Sequence, residues 1–188
     1  EGLSANIIDL PGTYSLYPKS ADELVTYDIL INPLSRYKPD IVVVVADASN
    51  LKRNLLFCSQ IIDLKIPTVL ALPMMDLAKK ADIDIDVNAF AQKLGVPVVP
   101  ISARKIEGID QLKSAITYAN KFALQEDTID VEALAPDIIA QISKEIAVDN
   151  PYYALQLAHQ HETVNFLTPA ESDRIEDLEH EFSFHSQK

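Results

Sequence analysis

Five consecutive β-branched residues, Ile41-Val42-Val43-Val44-Val45, constrain the fold more than any other stretch of this chain. A strand points successive side chains to opposite faces, so a run that is apolar at every position demands cover on both sides of its sheet. Three more short runs have a similar character, Leu3 to Asp9, Thr68 to Leu72 and Val96 to Ile101, and amphipathic stretches separate them. This alternation, up to about residue 120, predicts an α/β domain with a mostly parallel sheet. Ile41 to Asp47 is expected at its centre. Val96 to Ile101 carries Pro97 and Pro100, which remove ladder donors, and is expected at an edge.

Between the strands, Asn54 to Leu64 and Val87 to Leu94 read as helices, the second stopped by Gly95. Ile109, Leu112, Ile116, Ala119 and Ala123 recur at spacings of three and four, the stripe of a helix laid on the sheet. After Gln125 the strand signals stop. Pro136 is placed to open a helix that carries Ile138, Ile139, Ile142 and Ile146 on one face, and Asn150-Pro151 starts another. Thr168 and Glu171 have the spacing of a capping box, in which a threonine hydroxyl accepts a backbone N–H and a glutamate reaches back. The expected organisation is an α/β domain over residues 1–124 and a helical domain over 125–188, ending in a polar, frayed tail.

Composition narrows the partners. A net charge of −12 with no local basic cluster argues against nucleic acid and anionic membrane surfaces. The single Cys58 excludes an intramolecular disulfide and, in the run Leu55-Leu56-Phe57-Cys58, reads as a buried apolar side chain. No apolar run approaches the roughly 20 residues of a membrane span, so the residues are expected to be soluble and cytoplasmic. His159 and His161 read as a solvated surface pair, Asp82, Asp84 and Asp86 as a solvated edge, and Met74 and Met75 as pocket fillers.

The candidate site lies in the turns that follow the strands. Asp9-Leu10-Pro11-Gly12, taken alone, is a common tight turn. It gains weight because Asp47-Ala48-Ser49-Asn50, Pro73-Met74-Met75-Asp76 and Ser102-Ala103-Arg104 follow the later strands, at the carboxyl ends where doubly wound sheets bind ligands. No nucleophile, base and orienting acid stand together at sensible places for an unrelated doubly wound enzyme.

In order and spacing, "DLPGTYSL", "DASNLKRNL", "LPMMDLAKK", "LGVPVVPISARKIEGIDQL" and "NPYYALQLAH" resemble the cytosolic GTP-binding domain and attached helical domain of FeoB, the bacterial ferrous iron transporter. The resemblance covers nearly the whole chain. It implies an incomplete P-loop GTPase-like doubly wound sheet followed by a small all-α domain, with GTP or GDP and Mg²⁺ as ligands. It also implies a place on the cytoplasmic face of the inner membrane, with the transmembrane part of the transporter as partner. Residue by residue, Asp9 matches the acid that holds Mg²⁺ through a water, and Gly12 the glycine whose N–H meets the γ-phosphate. Asp76 matches the carboxylate that reads the guanine edge. Ala103, preceded by Ser102, matches the N–H donor to the guanine carbonyl.

Three departures temper what the resemblance implies. None of the four glycines lies in a G-x-x-x-x-G-K-[ST] sequence, so the phosphate cradle is not among these residues, and the chain reads as starting just before the family's second switch. Pro73 stands where the family has the asparagine of its Asn-x-x-Asp. Thr13 stands where many GTPases orient the attacking water with glutamine, which implies slow hydrolysis. Weak nucleotide binding is therefore expected, and the alternative reading is a nucleotide-free pseudo-GTPase interaction module. In the family a further strand separates the counterparts of Leu3 to Asp9 and Ile41 to Asp47. Without it both edges are bare, and the expectation is strand exchange with a second copy about a hinge at Tyr17 to Glu23.

Overall fold

The structure, a computed structural model, describes residues 4–119, 127–182 and 184. The chain divides into two compact units: an α/β unit of residues 1–9, 13–15 and 39–128, and a helical unit of residues 10–12, 16–38 and 129–188. The boundary expected at 124/125 lies outside the described residues. The helical unit draws on residues far upstream of it.

In the α/β unit, β1 (Val42–Val45), β2 (Thr68–Leu72) and β3 (Val98–Pro100) form a parallel sheet in the order β1-β2-β3. Val42 pairs with Thr68, and Leu70 with Val98. β2, buried at every position, is the central strand. One face carries Val69 and Val99, on which Ile41, Val43 and Ile101 pack together with Leu112, Ala115 and Ile116 of α5 (Ile109–Tyr118). Alternation puts Val44, Leu70 and Leu72 on the other face, and all three are buried. Helix α2 (Leu51–Asp63), which contacts β2, buries Cys58, Ile61 and Ile62. The smaller α3 (Met75–Lys80) and α4 (Val87–Leu94) complete the unit, and Gly95 closes α4 in the left-handed conformation at φ 67°.

Two strand expectations are corrected. Residues 4–9 form no strand, and Ile7 is 93% exposed. The run at 41–47 is an edge strand of the described sheet, with Val45 62% exposed. The reason is shared: a β-branched run becomes a strand only where a neighbour takes up its N–H and C=O groups, and no described residue does so on the outer side of β1. Val96 to Ile101 does hold the opposite edge.

The helical unit contains α6 (Val131–Leu134), α7 (Pro136–Ile146), α8 (Pro151–Gln160) and α9 (Pro169–Glu181). It also contains α1 (Ala21–Ile31), a helix that sequence periodicity did not announce. Ser20 caps α1 by accepting the Glu23 N–H, and Glu23 returns by accepting the Lys19 N–H at 2.7 Å. The Tyr27 hydroxyl donates to the Gln156 carbonyl at 3.4 Å, and the Tyr153 hydroxyl to the Ile31 carbonyl at 2.9 Å. Burial pushes Tyr153 up to about 12, so it remains a donor throughout the physiological range. Tyr17 to Glu23 is therefore no free hinge. Leu16 is buried beside it, Tyr17 packs on His159, and Ser20 opens a capped helix.

Candidate functional site

The carboxyl ends of the three parallel strands place their following turns side by side, and backbone hydrogen bonds fix these turns to one another. After β1, Asp47 accepts the Ser49 N–H at 2.8 Å and the Ser49 hydroxyl at 2.7 Å, closing a short 3₁₀ turn. The Ala48 N–H then donates to the Pro73 carbonyl at 3.1 Å, tying the turn after β1 to the turn after β2. After β3, the Ile101 N–H donates to the Leu72 carbonyl at 2.9 Å. The scaffold is built from main chain, so side chains at its rim are left for other work.

Asp76 stands in the first turn of α3 and is exposed, accepting no hydrogen bond from a described residue. It follows Met74, which is held at φ 63° and is half exposed. Met74 is thus a strained entry to the helix and not a pocket filler. Ser102 pairs in a two-bond antiparallel bridge with Glu107, at 2.9 and 3.1 Å, and its hydroxyl accepts the Lys105 N–H at 3.4 Å. Ala103 lies in the turn so pinned, exposed, and its N–H meets no acceptor among the described residues. Asp9, in the same unit, is exposed with no hydrogen-bonded partner among the described residues. The rim of the sheet thus carries two carboxylates and a backbone N–H without hydrogen-bonded partners among the described residues, the former able to accept and the latter to donate. Gly12, in the segment assigned to the helical unit, is exposed with nothing within 4 Å of where a Cβ would stand, so its backbone is open to close approach.

Two features were missed in the sequence. Gly108 closes the Ser102–Glu107 turn at φ 80°, and a Cβ there would meet the Pro100 carbonyl oxygen at 2.1 Å. A lone glycine just before the helical stripe at Ile109 was the available signal. Arg53, in α2, stacks its guanidinium carbon 3.7 Å from the Tyr14 ring centroid, a contact between residues too far apart in sequence for any pattern to announce.

Elsewhere, the histidine pair is not a solvated one. His161 is 6% exposed, and His159 packs between Tyr17 and Phe184 with ring centroids at 5.6 and 5.1 Å. Burial pushes His159 below its usual value. Asp86 caps α4 by accepting the Asn88 and Ala89 N–H groups, while Asp82 and Asp84 are exposed. Cys58 is fully buried, and burial pushes its thiol up to about 12.

The family model for ferrous iron transport protein B matches residues 1–116, more than half of the chain. The chain belongs to the ferrous iron transport protein B family. Among curated FeoB relatives, the Fe(2+) transporter FeoB of Salmonella typhimurium is 41% identical over 114 residues, which is 61% of this chain and 15% of that protein. The Escherichia coli K12 transporter is 40% identical over 110 residues, 58% of this chain and 14% of its own length. The chain thus spans about one seventh of the curated relatives it matches. Among solved FeoB structures, the cytosolic domain from L. pneumophila superimposes with a TM-score of 0.69 at 29% identity, over 92% of this chain and 75% of that one. An S. thermophilus NFeoB variant bound to GMPPNP gives 0.71 at 30% identity, over 93% and 70%. The M. jannaschii FeoB G-domain gives 0.55 at 47% identity, over 61% and 70%. The fold is that of a GTPase-like G domain with a small parallel sheet, followed by helices.

Proposed function

We propose that this chain is the guanine-nucleotide-responsive regulatory module of a FeoB-type ferrous iron transporter, acting at the cytoplasmic face of the membrane with the transmembrane part as its partner. The observation that carries the reading is the pairing, along one end of the sheet, of a free Asp76 carboxylate with a free Ala103 N–H on turns pinned by main-chain bonds. Asp76 accepts two hydrogen bonds from the guanine edge, and the Ala103 N–H donates to the guanine carbonyl, with Ser102 holding its turn. Asp9, an exposed carboxylate, would hold Mg²⁺, and the open backbone of Gly12 would offer its N–H to a phosphate oxygen. When bound, Mg²⁺ neutralises charge on the phosphate oxygens. Thr13, whose short hydroxyl is engaged by the Ser15 backbone, lacks the reach of a glutamine amide to orient a water, which leaves hydrolysis slow. No helix among the described residues is long and apolar enough to cross a membrane, in keeping with a peripheral position for this part.

These 188 residues contain no phosphate-cradling G-x-x-x-x-G-K-[ST] loop, which in such sites supplies the main electrostatic contacts. By themselves they hold nucleotide weakly. Calorimetry with GMPPNP and Mg²⁺ tests this: heats too small to fit are expected, and a dissociation constant in the low micromolar range would overturn it. A second reading, a nucleotide-free interaction module, is favoured by Pro73, whose side chain offers a base no hydrogen bond and whose carbonyl is engaged by Ala48. Its occupant would be a second copy adding a strand at the outer edge of β1.

A further inference from the structure

Helix α1 and residues 163–165 bound a cavity of about 370 Å³, and every residue lining it belongs to the helical unit. Leu24, Val25, Tyr37 and Val164 give it apolar walls. Leu24 is 37% exposed, Tyr37 44% and Val25 49%, so it is an open groove that side chains of another segment can enter. Large apolar side chains left in water around a concavity mark an interaction surface. The charge among the lining residues is that of Asp28, one of whose carboxylate oxygens accepts the Asn32 amide at 3.2 Å. α1 adds Asp22 and Glu23 in its first turn and contains no lysine or arginine. Arg36 lies over the Tyr37 ring, 4.5 Å from its centroid. The groove is thus apolar in its walls and negative along α1, in a chain whose net charge is −12.

We propose that this groove docks a cytoplasmic segment of the transporter's membrane part, one that carries apolar anchors with lysine or arginine beside them. The inference rests on the reading of the chain as the peripheral module of an iron transporter, and it names the face that meets the membrane part. Short cytoplasmic loops of membrane proteins carry an excess of Lys and Arg, so such a segment brings to α1 the charge that α1 lacks. Apolar side chains on one face of the segment fill the space between Val25 and Val164, as in other helix-in-groove contacts. The carboxylates of α1 add selectivity and orientation more than affinity.

The test has two arms. In the first, the whole chain without nucleotide is titrated with a short synthetic amphipathic peptide of leucine and lysine, and the methyl resonances are followed by NMR. Saturable shifts concentrated at Leu24, Val25 and Val164 are expected. A leucine–glutamate peptide and a glycine–lysine peptide, each lacking one of the two features, are expected to leave those resonances in place. Val25→Lys is expected to weaken the leucine–lysine peptide by about tenfold, through lost apolar cover and like charge, and Asp28→Asn by roughly 1.5- to fivefold, the range of an exposed ion pair. Leu134→Lys, at an exposed apolar position that does not line the groove, is expected to change nothing. Val25 and Leu134 are exposed, so these lysine variants are expected to fold. Shifts that spread over the surface without saturating, equal binding of the leucine–glutamate peptide, or an unchanged affinity in Val25→Lys would overturn the proposal. In the second arm, a benzophenone-bearing residue replaces Val25 in the full-length transporter, and the photo-crosslinked peptide is identified by mass spectrometry. Capture of a Lys- or Arg-bearing cytoplasmic loop of the same transporter is expected. Capture of another protein, or of no part of the membrane region, would overturn the assignment of the occupant. Nucleotide enters neither arm, so failure of GMPPNP to bind would strike the nucleotide reading alone.

Discussion

Two glycines show how differently one residue type can be used. At Gly108 the left-handed backbone and the 2.1 Å approach to the Pro100 carbonyl both exclude a side chain. Gly108→Ala is expected to cost about 2 kcal/mol or more, since the left-handed conformation alone costs a non-glycine residue 1–2 kcal/mol, and to release the turn that carries Ala103. Gly12→Ala has open space around it and is expected to change stability by no more than about 0.5 kcal/mol. Urea unfolding of the two variants checks this, and equal losses would refute the contrast. The same pair marks the limits of reading residues from sequence. Gly12 could be singled out as a candidate because Asp-x-x-Gly is local. Gly108 and Arg53 matter through atoms distant in the chain, Pro100 and Tyr14, which a sequence does not put next to them.

At the level of elements, legibility followed the same division. Helices with local punctuation were readable: α4 from Gly95, α7 from Pro136, α8 from Asn150 and α9 from its capping box. α1 was not, because its apolar residues are spread around it. Tyr27, Leu30 and Ile31 are buried while Leu24 and Val25 are exposed, so no single stripe shows. Strand identity was harder still, since residues 4–9 have the composition of a strand but lack a neighbour. The α9 box supplies a pH test. The Thr168 hydroxyl, donating to Glu171 at 2.7 Å, and the Thr168 N–H, also at 2.7 Å, lower the Glu171 carboxyl from its ordinary 4.5. A carboxyl lowered on folding adds stability that is complete above pH 4.5 and is lost as pH falls through the lowered value. Glu171→Gln should therefore flatten the pH dependence of α9 stability in the acid range, followed by amide exchange in residues 172–180. An unchanged acid profile would show that the box does not titrate.

Over the whole molecule, the outer edge of β1 and the exposed Ile7 and Ile8 set the expectation for assembly. An unpaired edge of β-branched residues is a template for another strand. Sedimentation of the purified chain is expected to show self-association that grows with concentration, and Val45→Lys, placing a charge at the exposed position of the open strand, is expected to weaken it. A concentration-independent species of 20.8 kDa would exclude strand addition between copies. The membership of α1 in the helical unit has another consequence, in the order of synthesis. The Tyr153 hydroxyl that binds the Ile31 carbonyl is 122 residues downstream of it. At 5–20 residues per second, the buried face of α1 waits roughly 6 to 25 s on the ribosome for the helix that covers it. During that interval Tyr27, Leu30 and Ile31 form an apolar surface without its cover, and a chaperone that holds nascent chains has a defined segment to hold.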